Sequence, residues 1–210
     1  CKGVWNYKKY IGIPKGMLKK YPDRIKLVSG DFSPCDGVYL IPHKTPGLEK
    51  KGIREHMYLK EKRRWRPDSF SHEQSLVFDT PDGLVIFNSC SHGGADTIIR
   101  EVTATFPDKK VKALIGGFHL YNKTDAEILA LAEGIRSTGI SEIYTGHCTG
   151  DHAFDLLRET LGESVHKLHA GLVMGFSMSR SANAMQALTF QSRIEQGNRT
   201  EELVSKNGTV

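Results

Sequence analysis

Between about residues 75 and 161 short apolar runs alternate with longer stretches whose apolar positions recur every three or four residues. Ser75–Asp79 and Leu84–Asn88 predict a hairpin closed by Thr80-Pro-Asp-Gly83. A helix over about 94–106 follows, with Ile98, Ile99, Val102 and Phe106 on one face. Val111–Ile115 predicts the next strand, and 125–138 a helix presenting Ile128, Leu131, Ala132 and Ile135. Thr124-x-x-Glu127 supplies a capping box at its start. Glu142–Tyr144 is a short strand, and 151–161 a helix with Phe154, Leu157 and Leu161 inward and Gly162 as its stop. Two closing strands are expected at about 165–168 and 172–176. Strand-to-helix repetition of this kind predicts an α/β fold.

The flanks are less regular. Up to Tyr21 the chain is basic and aromatic, with Tyr10-Ile-Gly-Ile-Pro14 leading into a short helix. Ile25–Val28 and Gly37–Ile41 predict strands separated by the turn cluster Ser33-Pro-Cys-Asp-Gly37. Residues 42–70, rich in Pro, Gly and charge, predict an irregular, mobile connection. Few large apolar residues follow Phe176, so 177–210 is expected to be a tail, with a helix across 183–195. The glycosylation sequons at Asn198 and Asn207 carry no weight without secretion.

Composition narrows the class. The chain has 210 residues, 39% hydrophobic and 25% charged, enough for one domain of about 176 residues with an appendage. No apolar stretch approaches the ~18 residues of a membrane span. Four scattered cysteines without CxxC pairing fit free thiols in a reducing compartment, hence a cytoplasmic location. The net charge of +5 owes much to Lys44–Arg66. That run is expected to be a solvated loop, comfortable beside an anionic substrate, and nucleic-acid binding ranks last. A first residue of cysteine rather than methionine predicts that the natural start lies upstream.

The chemistry concentrates on three histidines in equivalent places. Strand 84–88 runs into Ser89-Cys-Ser-His92-Gly-Gly, strand 111–115 into Gly116-Gly-Phe-His119, and strand 142–144 into Thr145-Gly-His147-Cys-Thr-Gly150. If these strands are neighbours, His92, His119 and His147 meet at the carboxyl edge of one sheet, where α/β proteins bind ligands. Each alone reads better as an ordinary polar residue at a strand end; three in register favour metal ligands. Imidazole suits zinc, iron or manganese. His72, Cys148 and Thr149 are expected beside that site or in contact with substrate, and Cys90 flanks it as well. Asp68 and Glu73 are available carboxylates, while His43, His56, His152, His166 and His169 carry no spacing signal.

These motifs, in order, carry a resemblance. Glu73-Gln-Ser-Leu76, Gly83-Leu-Val-Ile86, Ser89-Cys-Ser-His92, Ile115-Gly-Gly-Phe-His-Leu120 and Gly146-His-Cys-Thr-Gly150 resemble the metallo-β-lactamase superfamily. Within it they are most similar to the dihydropterin-ribofuranosylaminobenzene-phosphate synthase-like hydrolases, as is Tyr10-Ile-Gly-Ile-Pro14. The resemblance covers about residues 8–176. It implies an αββα sandwich, of which this chain is largely the C-terminal half, and a two-metal site. It also implies a metal-dependent hydrolase that turns an activated water on a small, phosphorylated or pterin-like molecule. His92 and His147 match ligand motifs, and His119 stands near the usual bridging aspartate. The superfamily's His-x-His-x-Asp-His run is missing, since no two of the nine histidines are separated by a single residue. The chain is therefore expected to be a fragment, the product of a split gene, or a half completed by another chain. The alternative to an enzyme is a non-catalytic half-domain that associates with a complementary half or as a homo-oligomer.

Overall fold

The computed structural model describes residues 2–4 and 7–176, with side chains from residue 9 onward. Lys2–Val4 (β1) and Tyr7–Lys9 (β2) pair antiparallel, and Met17–Lys20 (α1) is a single helical turn. Then come Phe32–Cys35 (β3), Val38–Pro42 (β4), Glu49–Arg54 (α2) and the hairpin Tyr58–Glu61 (β5) with Arg64–Pro67 (β6). Gln74–Thr80 (β7) and Gly83–Cys90 (β8) form the expected second hairpin. The βα units are Ala95–Thr105 (α3), Val111–Gly117 (β9), Asp125–Arg136 (α4), Glu142–Thr145 (β10), Asp151–Leu161 (α5) and Val165–Lys167 (β11).

Seven strands make one mixed sheet in the order β11-β10-β9-β8-β7-β4-β3. β8 through β11 are parallel, because each is joined to the next by a helix or a long crossover. β3–β4 and β7–β8 pair antiparallel through short turns, and β4 pairs antiparallel with β7 after the excursion through α2, β5 and β6. The helical periodicity pays off in packing: Ile98, Ile99, Val102, Ile128, Ala132, Ile135 and Leu157 are buried against Val77, Leu84, Ile86, Leu114, Ile143 and Val165 of the sheet. Each such Ile or Leu contributes ~1.5–3 kcal/mol of transfer free energy. At the start of α4, Thr124 and Glu127 form the capping box that their spacing predicts.

Alternation along the strands sends a second apolar set to the other face. Leu40 pairs with Leu76, Leu76 with Phe87, and Phe87 with Ile115, while Phe78 pairs with Val85 and Val85 with Ala113. None of these belongs to the helix-side cluster. The sheet is thus apolar on both faces, as the central layers of a sandwich are.

Three expectations need correction. Residues 25–28 and 172–176 form no strand, since neither segment finds a partner backbone to complete its hydrogen bonds. Residues 42–70 are ordered into α2 and the β5–β6 hairpin. That segment builds its own small core from Leu48, Met57 and Phe70, three apolar residues too widely spaced to show a period. The expected helix at 183–195 lies outside the described residues.

Candidate functional site

Because β8, β9 and β10 are parallel neighbours, their carboxyl ends share one edge of the sheet. Cys90 ends β8 and Gly117 ends β9, so Ser91–Gly94 and Phe118-His119 leave the sheet side by side. The loop after β10 is clamped onto them. Leu120 and Tyr121 donate backbone N–H bonds to the Cys148 carbonyl at 3.0 and 3.3 Å, and Phe118 N–H donates to Thr149 Oγ1 at 3.1 Å. Thr149 is fully buried and shares a 2.6 Å hydrogen bond with Thr145, so it ties the two loops together. Gly117 leaves room for Cys148, since a Cβ there would lie 2.6 Å from its Sγ.

Among the described residues, the soft and imidazole donors that converge are Cys90, His119 and Cys148. Their donor atoms all lie within 4.8 Å of one another. Cys90 Sγ is 2.9 Å from Cys148 Sγ and 3.3 Å from His119 Nδ1, and the His119 backbone N–H donates to Cys148 Sγ at 3.2 Å. The two thiols titrate as a pair. The hydrogen bond from Cys90, with those from His119, holds the Cys148 thiol far below its ordinary value and pushes Cys90 far above. His92 adjoins the cluster, its ring centroid 4.6 Å from that of His119 and stacked on Phe70 at 5.4 Å.

His147 opens a short 3₁₀ turn, His147–Thr149, that buries Thr149, half-buries Cys148 and leaves His147 exposed. It shares the sheet edge without joining the three converging donors. His119 and His147 both hold left-handed φ, at 51° and 53°. For non-glycine residues that costs of order 1 kcal/mol each, a strain that concentrates at functional sites. His72 is largely exposed, 3.5 Å from Asp68.

The supports are Glu73, which the sequence offers as an available carboxylate, and residues that carry no sequence signal. Glu73 binds His92 Nδ1, and Glu55 Oε2 lies 3.4 Å from His119 Nε2 while also taking Lys123 and Asn122. Behind Glu73 sits His43, with a side chain only 4% exposed. Its Nδ1 is 2.8 Å from Glu101 Oε2, and its Nε2 3.6 Å from Glu73 Oε2. Burial alone would lower the His43 pKa, but Glu101 and Glu73 raise it to about 9. Burial likewise works against Glu101, yet His43 and the backbone N–H groups of Lys44 and Thr45 bring that carboxyl down to about 2. His43 and Glu55 precede every strand-end motif and Glu101 lies within α3, so no spacing in the sequence reports them.

Two cavities open on this edge. The larger, about 980 Å³, is bounded by Tyr10–Lys15, Met57, Trp65, Phe70, His72, Glu73 and His92. The smaller, about 140 Å³, lies at the start of α3 beside His92 and His119. The buried His119 Nε2 has no hydrogen-bond partner. Two thiols and the His119 imidazole form a donor set suited to zinc or iron.

No family model matches the chain. It is 33% identical over 120 residues to 7,8-dihydropterin-6-methyl-4-(β-D-ribofuranosyl)-aminobenzene-5′-phosphate synthase of Methanocaldococcus jannaschii, a match that covers 57% of this chain and 41% of that protein. Its fold is similar to the crystal structure of a metal-dependent hydrolase of the β-lactamase superfamily, with a TM-score of 0.65, 28% identity, and coverage of 72% of this chain and 58% of the other. The chain thus spans well under two thirds of the length of either relative. This chain has the fold of the β-lactamase superfamily.

Proposed function

We propose that this chain supplies the strand-end half of a metal-dependent hydrolase or related transferase that acts on a small, phosphorylated or pterin-like molecule. The observation that carries the reading is the convergence of Cys90, His119 and Cys148, with His92 alongside, at the carboxyl ends of three parallel strands. His119 and the two thiols, with His92 alongside, would hold a divalent metal, zinc above iron or manganese, with a second ion in the complete protein; His147, expected among the ligands, stays outside that set. When bound, such a metal lowers the pKa of a coordinated water to ~7 and polarises a substrate oxygen.

The chain's own residues prepare that edge. Glu73 fixes the His92 ring through Nδ1 and leaves Nε2 as the donor; Glu55 faces His119. Phe70 stacked on His92 and the small core beneath it hold water away from the imidazole. The 980 Å³ cavity gives a planar ring system apolar walls at Met57, Trp65 and Phe70, with Lys15 and Lys60 at its margin for an anionic group. His72 and Glu73 face that cavity beside His92 and are placed to contact substrate. The similarity to a synthase whose name carries a dihydropterin and a phosphate supports this substrate class.

The test is turnover of phosphoester and pterin-containing substrates by the metal-loaded protein. His92→Ala and His119→Ala should each lower the rate at least ~100-fold. Unchanged rates in both variants would overturn the assignment.

A second reading has its own observation. The apolar face that carries Leu40, Leu76, Phe78 and Phe87 lies outside the helix-side core, so a partner layer is called for. A complementary half-chain or a second copy would supply it. Sedimentation at rising concentration tests this, and a strict monomer with metal-dependent turnover would contradict it.

A further inference from the structure

We propose that the 140 Å³ cavity at the start of α3 is a binding site for a phosphate-type oxyanion, lined by Ser91, Gly94 and the ammonium group of Lys51. Four observations point there independently.

The first is an orphan. Ser91 is 2% exposed, its Oγ has no hydrogen-bond partner, and it lines the cavity. A buried hydroxyl left unsatisfied costs ~1–3 kcal/mol, so a ligand oxygen is the natural partner in a polar pocket.

The second is an uncapped helix end. The first helical bond of α3 runs from Ile98 N–H to the Gly94 carbonyl, and no side chain caps the three N–H groups before it. Gly94 lines the cavity, so the positive end of an 11-residue helix opens onto it. The acidic residue of that turn, Asp96, stands 3.7 Å from Arg100.

The third is the packing of Lys51. At Gly94, φ is 101°, a conformation for glycine, and a Cβ there would meet Lys51 Nζ at 2.6 Å. The ammonium thus rests directly on the helix start. It donates to the Gly93 carbonyl rather than to a carboxylate.

The fourth is charge. The lining holds Lys51, Arg54 and Lys123 against Glu55 and Glu127. Arg54 is paired with Glu127 and Lys123 with Glu55, which leaves Lys51 as the surplus cation. Burial, helped by Lys123, pushes the Lys51 ammonium below its ordinary value despite Asp96 and Glu101. A bound anion would relieve that strain. At about 30 Å³ per water the cavity holds about four or five waters, or one tetrahedral oxyanion.

The cavity shares His92 and His119 with the proposed metal edge. As a place for the phosphate of a substrate it rests on the reading above; as an anion site it stands on its own. The test therefore uses metal-free full-length protein, titrated with inorganic phosphate at low ionic strength by calorimetry and phosphorus NMR, with acetate in a parallel arm. Saturable one-to-one phosphate binding is expected, at least ~10-fold tighter than acetate. Lys51→Met should weaken it at least ~10-fold, Ser91→Ala ~3- to 10-fold, and Gly94→Ala should abolish it. Ser91→Ala removes only an oxygen, so it keeps the test valid if a Lys51 or Gly94 variant misfolds. Absent binding in the wild type, binding unchanged in folded Ser91→Ala, or equal affinity for acetate would overturn the proposal. Loss of metal or turnover with phosphate binding intact would count against the metal-edge reading alone.

Discussion

The helix-covered face of the sheet and its carboxyl edge are built by different means from the same strands. The face is a periodic apolar surface in which Ile128, Ile86 and Leu157 are interchangeable with other hydrophobes of their size. The edge is a polar assembly in which each side chain depends on particular partners: His92 on Glu73, His43 on Glu101 and Glu73, His119 on Glu55 and Cys148. Stability resides in the first and chemistry in the second, so substitutions should separate the two.

The largest stability effect belongs to the face. Ile128→Ala opens a fully buried position and should cost ~2–5 kcal/mol in chemical denaturation. It should leave the edge's ligand preference unchanged at temperatures where the protein stays folded.

Next is the buried polar support. Glu101→Gln removes the charge facing His43 and should cost ~1–3 kcal/mol. The same pair fixes a pH dependence. The folded His43 pKa, about 9, lies above its ordinary 6.5, so its contribution is fully present below 6.5 and is lost as pH rises through about 9. Urea denaturation at pH 6.5 and 9.5 should show that loss in the wild type and a smaller one in Glu101→Gln. A variant with the full wild-type slope would place the titration elsewhere.

The smallest effect lies at the surface of a covered element. Thr124→Ala removes the capping box of α4 and should cost about 1 kcal/mol, read as a small drop in the denaturation midpoint with edge chemistry untouched.

This division also explains what can be read from sequence. The α3, α4 and α5 periodicities and the β7–β8 turn signal are local, and the elements match to within a few residues. The neighbouring order of β8, β9 and β10 then follows from strand–helix–strand chemistry, which is why the strand-end motifs land on one edge. What escapes is non-local. His43 meets Glu101 across 58 positions, and Cys90 meets Cys148 across the same separation. Cys148 reads in the sequence as a neighbour of His147; the tight turn after β10 half-buries the thiol among the donors and leaves the imidazole exposed. The β5–β6 hairpin was hidden for a different reason: its strands are four residues each, and β5 sets Tyr58 beside Leu59 and Lys60 beside Glu61, so no period stands out across the pair.

The central claim is that thiols and imidazoles at the ends of β8, β9 and β10 form one metal-binding edge. Cobalt(II) titration of the reduced protein, read by absorption, tests it most directly, because thiolate ligation gives an intense charge-transfer band that imidazole and carboxylate do not. The account predicts that band in the wild type. Cys148→Ser and Cys90→Ser should each lose most of it, His119→Ala should weaken cobalt binding at least ~10-fold, and His147→Ala should keep the band. No thiolate band in the wild type, or a band indifferent to Cys148→Ser, would contradict it.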